Sequence, residues 1–261
     1  KVPESALNPS IGYTFSDTVQ LGQNVNLQVP ITNVTELDMD SLLVKYTIIN
    51  GNNQQLPPVY VRMDSLRAKQ TLTTDFQFNS INGNLTDINT LIIQANPDDD
   101  QPEQFFFNNI GILQFSVIGD NENPLLDVTF DGSHIMDGEI VSAQPNILMK
   151  LRDENEFLAL NDTTLLNVFL RDPDGTVQRI PYDGNIMQFF PALPNPGKNN
   201  VAEIQYRPTF EESGTYELWV QAQDRSQNAS GNFGSVEDGI DYRISFEVIT
   251  ESMITNVVNY P

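Results

Sequence analysis

The sequence predicts an all-β protein made of two β-sandwich domains in series. Apolar and polar residues alternate over short segments, as where Val25, Leu27, Val29 and Ile31 interleave with Asn24, Asn26 and Gln28, the period of a strand with one buried face. Asn, Asp, Gly and Pro break these segments at short intervals, and stretches of helical period are hard to find. The length of 261 residues suits two domains of ordinary size, each able to bury a proper core.

In chain order, Val25 to Ile31 is followed by a second alternating segment at Leu42, Val44, Tyr46 and Ile48, and by strands at Leu72 to Phe78, Ile88 to Ala95 and Ile110 to Ile118. Asn50-Gly51 and Asn82-Gly83 supply turn chemistry between them. The polar run Gly119 to Pro124 then interrupts, and the rhythm restarts at Leu125 to Phe130. This places a first domain at 1–119, a linker at 120–124 and a second domain at 125–250, with 251–261 leading onward. The second domain offers strands at Ile147 to Leu151, Leu165 to Leu170, Ile186 to Phe190, Val201 to Tyr206, Thr215 to Ala222 and Tyr242 to Val248. Asp172-Pro173-Asp174-Gly175 reads as a hairpin turn and Pro191 to Asn200 as a loop. Many short strands with frequent turns point to immunoglobulin-like sandwiches.

Cysteine is absent, so disulfides, thiolate nucleophiles and Cys-ligated metals are excluded. Acidic residues outnumber basic ones 35 to 13, a formal charge of −22, which repels phosphate backbones and anionic lipid headgroups. Nucleic acid and direct membrane insertion are therefore not expected as partners, and no apolar run approaches the roughly 20 residues of a spanning helix. Calcium is the cofactor such a surface invites, because oxygen ligands are abundant. No signal peptide stands at Lys1, and the abrupt start and stop lead us to expect a mature fragment.

The segment from Ser10 to Ile48, followed by Asn96-Pro97-Asp98-Asp99-Asp100-Gln101-Pro102-Glu103 and closing at Asn108-Asn109, resembles the CARDB domain, a cell-adhesion-related immunoglobulin-like sandwich of bacteria. The resemblance covers about half the chain. It implies that the acidic turn joins the last two strands of the domain and that the paired asparagines cap the start of the final strand. Ser213 to Gly231 looks like the terminal strand pair of bacterial Ig-like repeats, with Tyr216, Leu218, Val220 and Ala222 in the core and Asp224 with Asn228 holding the next turn. The closing Val257 to Pro261 is similar to the start of the type IX secretion sorting domain of Bacteroidota. The order of the three resembles the C-terminal stalk of large exported proteins, including gingipain-like cysteine peptidases, whose catalytic domain would lie upstream. The resemblance thus implies an extracellular or cell-surface location after export across the outer membrane.

Asp17-Thr18-Val19, Asp40-Ser41-Leu42, Asp64-Ser65-Leu66 and Asp162-Thr163-Thr164 resemble Bacteroidota O-glycosylation sites, with Thr18, Ser41, Ser65 and Thr163 as acceptors. The alternative is that these are turn and strand-edge residues. The sequons at Asn33, Asn84, Asn161 and Asn228 would matter only in a eukaryotic secretory host.

Asp120, Glu122 and Asp127 in and beyond the linker, with Asp98 and Asp100 of the acidic turn, are candidate calcium ligands in the manner of cadherin linkers, since the ion takes about 6 to 8 oxygens. The competing reading is a solvated polar linker. Asp153 to Glu156, and Glu237-Asp238 with Asp241, are further acidic turns, read as solvated loops. His134 is the single histidine, and with no Gly-x-Ser-x-Gly elbow beside it a serine-hydrolase triad is not expected. Carboxylates are numerous enough that counting alone leaves a glycosidase pair open. Trp219, the single tryptophan, alternates onto the face opposite Tyr216, Leu218 and Val220. It is a core residue if that face is covered, the preferred reading, and a sugar or partner contact if it is exposed. Phe105-Phe106-Phe107 read as a strand would put Phe106 opposite its neighbours.

The expectation from sequence is a non-catalytic extracellular stalk that positions other domains of the same exported protein. The alternatives are an adhesin that binds a surface glycan or protein, and an accessory part of a secreted peptidase.

Overall fold

The computed structural model describes residues 1–7, 12–230 and 242–250. The chain divides into two compact units, Lys1–Asp120 and Asn121–Pro261, each an all-β sandwich of two sheets around its own core.

In the first unit, β1 (Ser5–Leu7), β2 (Thr14–Phe15) and β7 (Thr71–Asn79) pair with β4 (Asn24–Asn33). The second sheet runs β3 (Thr18–Gln20), β9 (Ile110–Ile118), β8 (Asp87–Ala95), β5 (Met39–Ile49) and β6 (Val59–Leu66). The alternation read from sequence holds: Val25, Leu27, Val29 and Ile31 of β4 are buried and meet Leu42, Val44, Tyr46 and Ile48 of β5 in one core. Pro30 interrupts the donor row of β4, and the sheet accommodates it by splitting one flank. β1 lies opposite Ile31 to Asn33 and β2 opposite Leu27 and Gln28, so neither reaches Pro30. At Gly83, which has φ 83°, an added Cβ would fall 2.3 Å from Leu56 Cδ1, so the Asn82-Gly83 turn requires glycine.

In the second unit one sheet is β10 (Leu125–Phe130), β12 (Ile147–Asp153), β16 (Asn200–Tyr206) and β15 (Met187–Phe190). The other is β11 (Glu139–Val141), β18 (Tyr242–Val248), β17 (Gly214–Ala222), β13 (Leu166–Arg171) and β14 (Val177–Arg179). Tyr216, Leu218, Val220 and Ala222 all face the core, as the resemblance to Ig-like repeats implied. Asp224 Oδ1 accepts from Asn228 N at 2.8 Å and Oδ2 from Asn228 Nδ2 at 2.7 Å, closing the turn after β17.

Both units share one connection. The chain pairs first with one sheet, then crosses to the other and runs parallel to that unit's last strand: β3 beside β9, with Val19 opposite Val117, and β11 beside β18, with Ile140 opposite Glu247. Among the described residues no helix is long and apolar enough to cross a membrane.

Candidate functional site

The acidic turn of the first unit connects β8 to β9, its last two strands, as the CARDB resemblance implied. Asn96 (φ 49°), Asp98 (φ 58°) and Asp99 (φ 55°) take left-handed backbone, a conformation Asn and Asp tolerate because short polar side chains bond locally. Asp98 is exposed, whereas Asp100 makes a two-pronged ion pair with Arg62 at 2.7 and 2.8 Å. That guanidinium holds the Asp100 carboxyl below its ordinary value. The paired asparagines bind carboxylates. Asn109 and Asn96 donate to Glu103 Oε2, Ser5 N donates to Glu103 Oε1, and Asn108 Nδ2 with the amides of Gln104 and Phe105 donates to the buried Glu4. The network ties β1 to the start of β9, where Ala95 N also donates to Asn109 O.

This fastening overturns the strand reading of Phe105 to Phe107. The three lie in a loop, all exposed, with Phe107 at 80% and its ring 5.7 Å from that of Phe105. With the Gln104 and Phe105 amides bound to Glu4, the segment joins no ladder and has no alternating faces.

Asp120 closes the first unit partly buried, and Glu122 is exposed. Asp127 is on the outer face of β10, where its Oδ1 meets His134 Nε2 at 2.6 Å. Of the proposed O-glycosylation acceptors, Thr18 and Ser65 are exposed, and Ser41 and Thr163 are partly buried. Glu237, Asp238, Asp241 and the closing 251–261 lie outside the described residues.

Trp219 is not a core residue. Alternation buries Tyr216, Leu218 and Val220, so Trp219 faces outward, with Phe169 and Arg243 as its cross-strand neighbours. It is half-buried because polar side chains cover it: Nε1 donates to Glu217 Oε2 at 3.0 Å, and the Arg243 guanidinium lies 5.1 Å from the ring centre. Glu217 also pairs with Arg171 at 2.9 Å and Arg243 at 2.6 Å. Burial works to raise its carboxyl, but the hydrogen bonds from Trp219, Arg243 and Arg171 outweigh that and leave it below its ordinary value.

Two concavities stand out in the second unit. The first is an open groove of about 790 Å³ on the outer face of the β10–β12–β16–β15 sheet, floored by Asp127, Lys150, Arg152 and Glu203 and edged by Phe190 and Asn199. The strand rows explain the floor: Asp127, Lys150, Glu203 and Phe190 are successive register neighbours. The second, about 530 Å³, lies where the Asp172 to Gly175 turn meets the segment before β15 and the connection between β16 and β17. Pro173 of its lining packs closely on Gly214, where an added Cβ would be 2.8 Å away. Asp172, Asp174, Asp183, Glu211 and Glu212 line it together with Tyr206, Phe210 and Tyr216. In the sequence Asp172 and Asp174 carry the signature of a turn, and nothing there marks Glu211 or Glu212 as their neighbours. Their convergence depends on contacts between segments remote in sequence.

No family model matches the chain, and no curated protein matches it. Among solved structures it is similar to a CARDB domain from Pyrococcus furiosus, determined in complex with di-metal ions, at 16% identity over 45% of this chain and 90% of that one, with a TM-score of 0.36. A domain of a cell-surface protein from Methanosarcina acetivorans aligns at 18% identity over 45% of this chain and 94% of that one, TM-score 0.35. Red sea bream transglutaminase aligns at 11% identity over 96% of this chain and 32% of that one, TM-score 0.35. At these scores the fold assignment rests on the sheets themselves.

Proposed function

We propose that this chain is a non-catalytic, load-bearing module of an exported cell-surface protein, extending and positioning other domains of that protein. The observation behind this reading is the parallel pairing of a strand near the start of each unit with its last strand. Tension drawn along the chain slides β3 past β9 and β11 past β18, so the bonds of each pair are loaded together rather than opened one at a time. Leu21 N to Ile118 O (2.9 Å), Ser116 N to Asp17 O (2.7 Å) and Gly138 N to Ser245 O (2.9 Å) lengthen these clamps. The asparagine and carboxylate fastenings at the loops support the same role, as does the sequence resemblance to the stalks of type IX secreted proteins, including secreted peptidases.

Single-molecule pulling of the whole chain from its ends tests this. Two discrete unfolding peaks are expected, and Leu21→Pro, which removes the donor to Ile118, should lower one of them while leaving the other in place. Extension without resolvable peaks would overturn the mechanical reading.

A second reading, glycan binding by the outer groove of the second unit, is favoured by charge balance. Asp127 and Glu203 cancel Lys150 and Arg152, so a chain of net charge −22 presents a neutral groove. Its alternating donors and acceptors and its Phe190 edge suit hydroxyl-bearing rings. A glycan array with the chain and its Phe190→Ala variant tests it, and a blank array for the unaltered chain removes it.

A further inference from the structure

We propose that the second pocket of this unit binds an organic cation, an ammonium or guanidinium group on an apolar stem. Its lining holds the carboxylates of Asp172, Asp174, Asp183, Glu211 and Glu212 and no basic side chain. Asp174 and Asp183 spend an oxygen on local turns, accepting from Thr176 N and from the amides of Asn185, Ile186 and Met187. Among the described residues Asp172 takes only Gln178 Nε2 at 3.2 Å, and the carboxylates of Glu211 and Glu212 hold no hydrogen-bond donor. Burial, then the charges of Asp174 and Glu212, pushes the Asp172 carboxyl above its ordinary value. A cation here would relieve that repulsion.

An independent observation is the Tyr206 side chain. The residue is only 3% exposed and lines the pocket, in the field of Asp172 and the Tyr216 phenol, yet its hydroxyl has no hydrogen-bond partner among the described residues. Its ring is buried while the hydroxyl is left without a partner among those residues, and that oxygen can accept from a ligand N–H. The neighbouring Tyr216 is already committed, donating to Glu212 O at 3.1 Å. The walls discriminate between cations. Calcium wants a shell made almost wholly of oxygen, whereas here the rings of Tyr206, Phe210 and Tyr216 and the side chains of Pro173 and Pro208 share the lining with the carboxylates. Aromatic faces and apolar walls suit an alkyl stem ending in a cation. The proposal goes beyond the load-bearing role and does not depend on it.

The test is titration of the whole chain with agmatine and with the blocked tripeptide Gly-Arg-Gly, followed by calorimetry and by the tyrosine ring signals in NMR at physiological salt. Saturable binding with a dissociation constant of about 1 mM or tighter, roughly −4 kcal/mol, is expected for at least one probe. Tighter binding of the peptide identifies a protein side chain as the source, and the reverse a free amine. Tyr206→Phe should weaken binding several-fold without changing charge, and Asp172→Asn with Glu212→Gln should abolish it. The same charge change elsewhere, Glu36→Gln with Glu247→Gln, should not. The proposal fails if neither probe saturates up to about 20 mM, some twentyfold above that constant. It also fails if the pocket and control variants behave alike, or if equimolar calcium displaces the probe.

Discussion

Ser41 of β5 and Ser65 of β6 stand opposite one another across an antiparallel ladder, and both belong to Asp-Ser-apolar triplets proposed as O-glycosylation sites. Cross-strand partners have Cβ atoms about 5 Å apart, which leaves no room for a branched sugar on each. Glycopeptide mapping of the protein from a glycosylating Bacteroidota host should therefore find either serine occupied but never both in one molecule, with Thr18 independent of the pair. Doubly modified peptides would show that β6 leaves the ladder.

Glu217 links Trp219, Arg171 and Arg243 on the outer face of the second unit, and its carboxyl is depressed in the folded state. A group whose folded value lies below the unfolded one contributes stability above the unfolded value and loses it as pH falls through the folded one. The ordinary value is 4.5. Glu217→Gln should thus destabilise by about 1 kcal/mol at neutral pH, a modest figure because both arginines are substantially solvated. The gap between variant and parent should close below that value. Urea titrations at neutral pH and in acid check it, and a gap that persists in acid would assign the cost to packing around the indole.

The core strands were legible because each is long enough to show its period: β4, β5, β8 and β17 can be read directly from alternating residues. β1, β2, β3, β11 and β14 have two or three residues each, too few for any period, so the parallel clamps behind the proposed function were invisible. β6 hid for another reason, since its pairing with β5 shifts register twice and its burial alternates poorly. Trp219 was misjudged because alternation reveals the face but not what covers it, and here Arg243 and Glu217 do. The acidic pocket was illegible because Asp172, Tyr206 and Glu212 belong to three separate segments.

Calcium is the proposed cofactor most directly tested by melting. Asp100 is already committed to Arg62 and Asp127 to His134, so an ion would have to displace those partners, whereas among the described residues the exposed Glu122 makes no ion pair. We expect millimolar calcium to raise the melting temperature by several degrees relative to excess chelator, as RT ln(1 + [L]/Kd) gives about 2.7 kcal/mol at a hundredfold excess over Kd. Asp120→Asn with Glu122→Gln should remove the effect and Asp100→Asn should leave it. Identical melts with and without calcium would remove the ion from the account.

Asn200 makes the strongest stability prediction. Fully buried, it accepts from Leu160 N at 2.9 Å and donates to Asn155 O and Leu158 O at 2.8 and 2.9 Å, with Asp153 Oδ2 at 3.3 Å. One side chain thus satisfies several backbone groups of the loop after β12. Alanine would strand them without water, which costs about 1–3 kcal/mol for each group left unanswered, so a loss of roughly 3 kcal/mol is expected once the loop relaxes. Trp219 is the chain's single tryptophan and lies in the second unit. Its fluorescence therefore reports that unit alone, while circular dichroism reports both. Asn200→Ala should move the fluorescence midpoint to lower urea and leave a second, unshifted dichroism transition from the first unit. A shift of the whole dichroism curve by the same amount would instead mean that the two units unfold as one cooperative body.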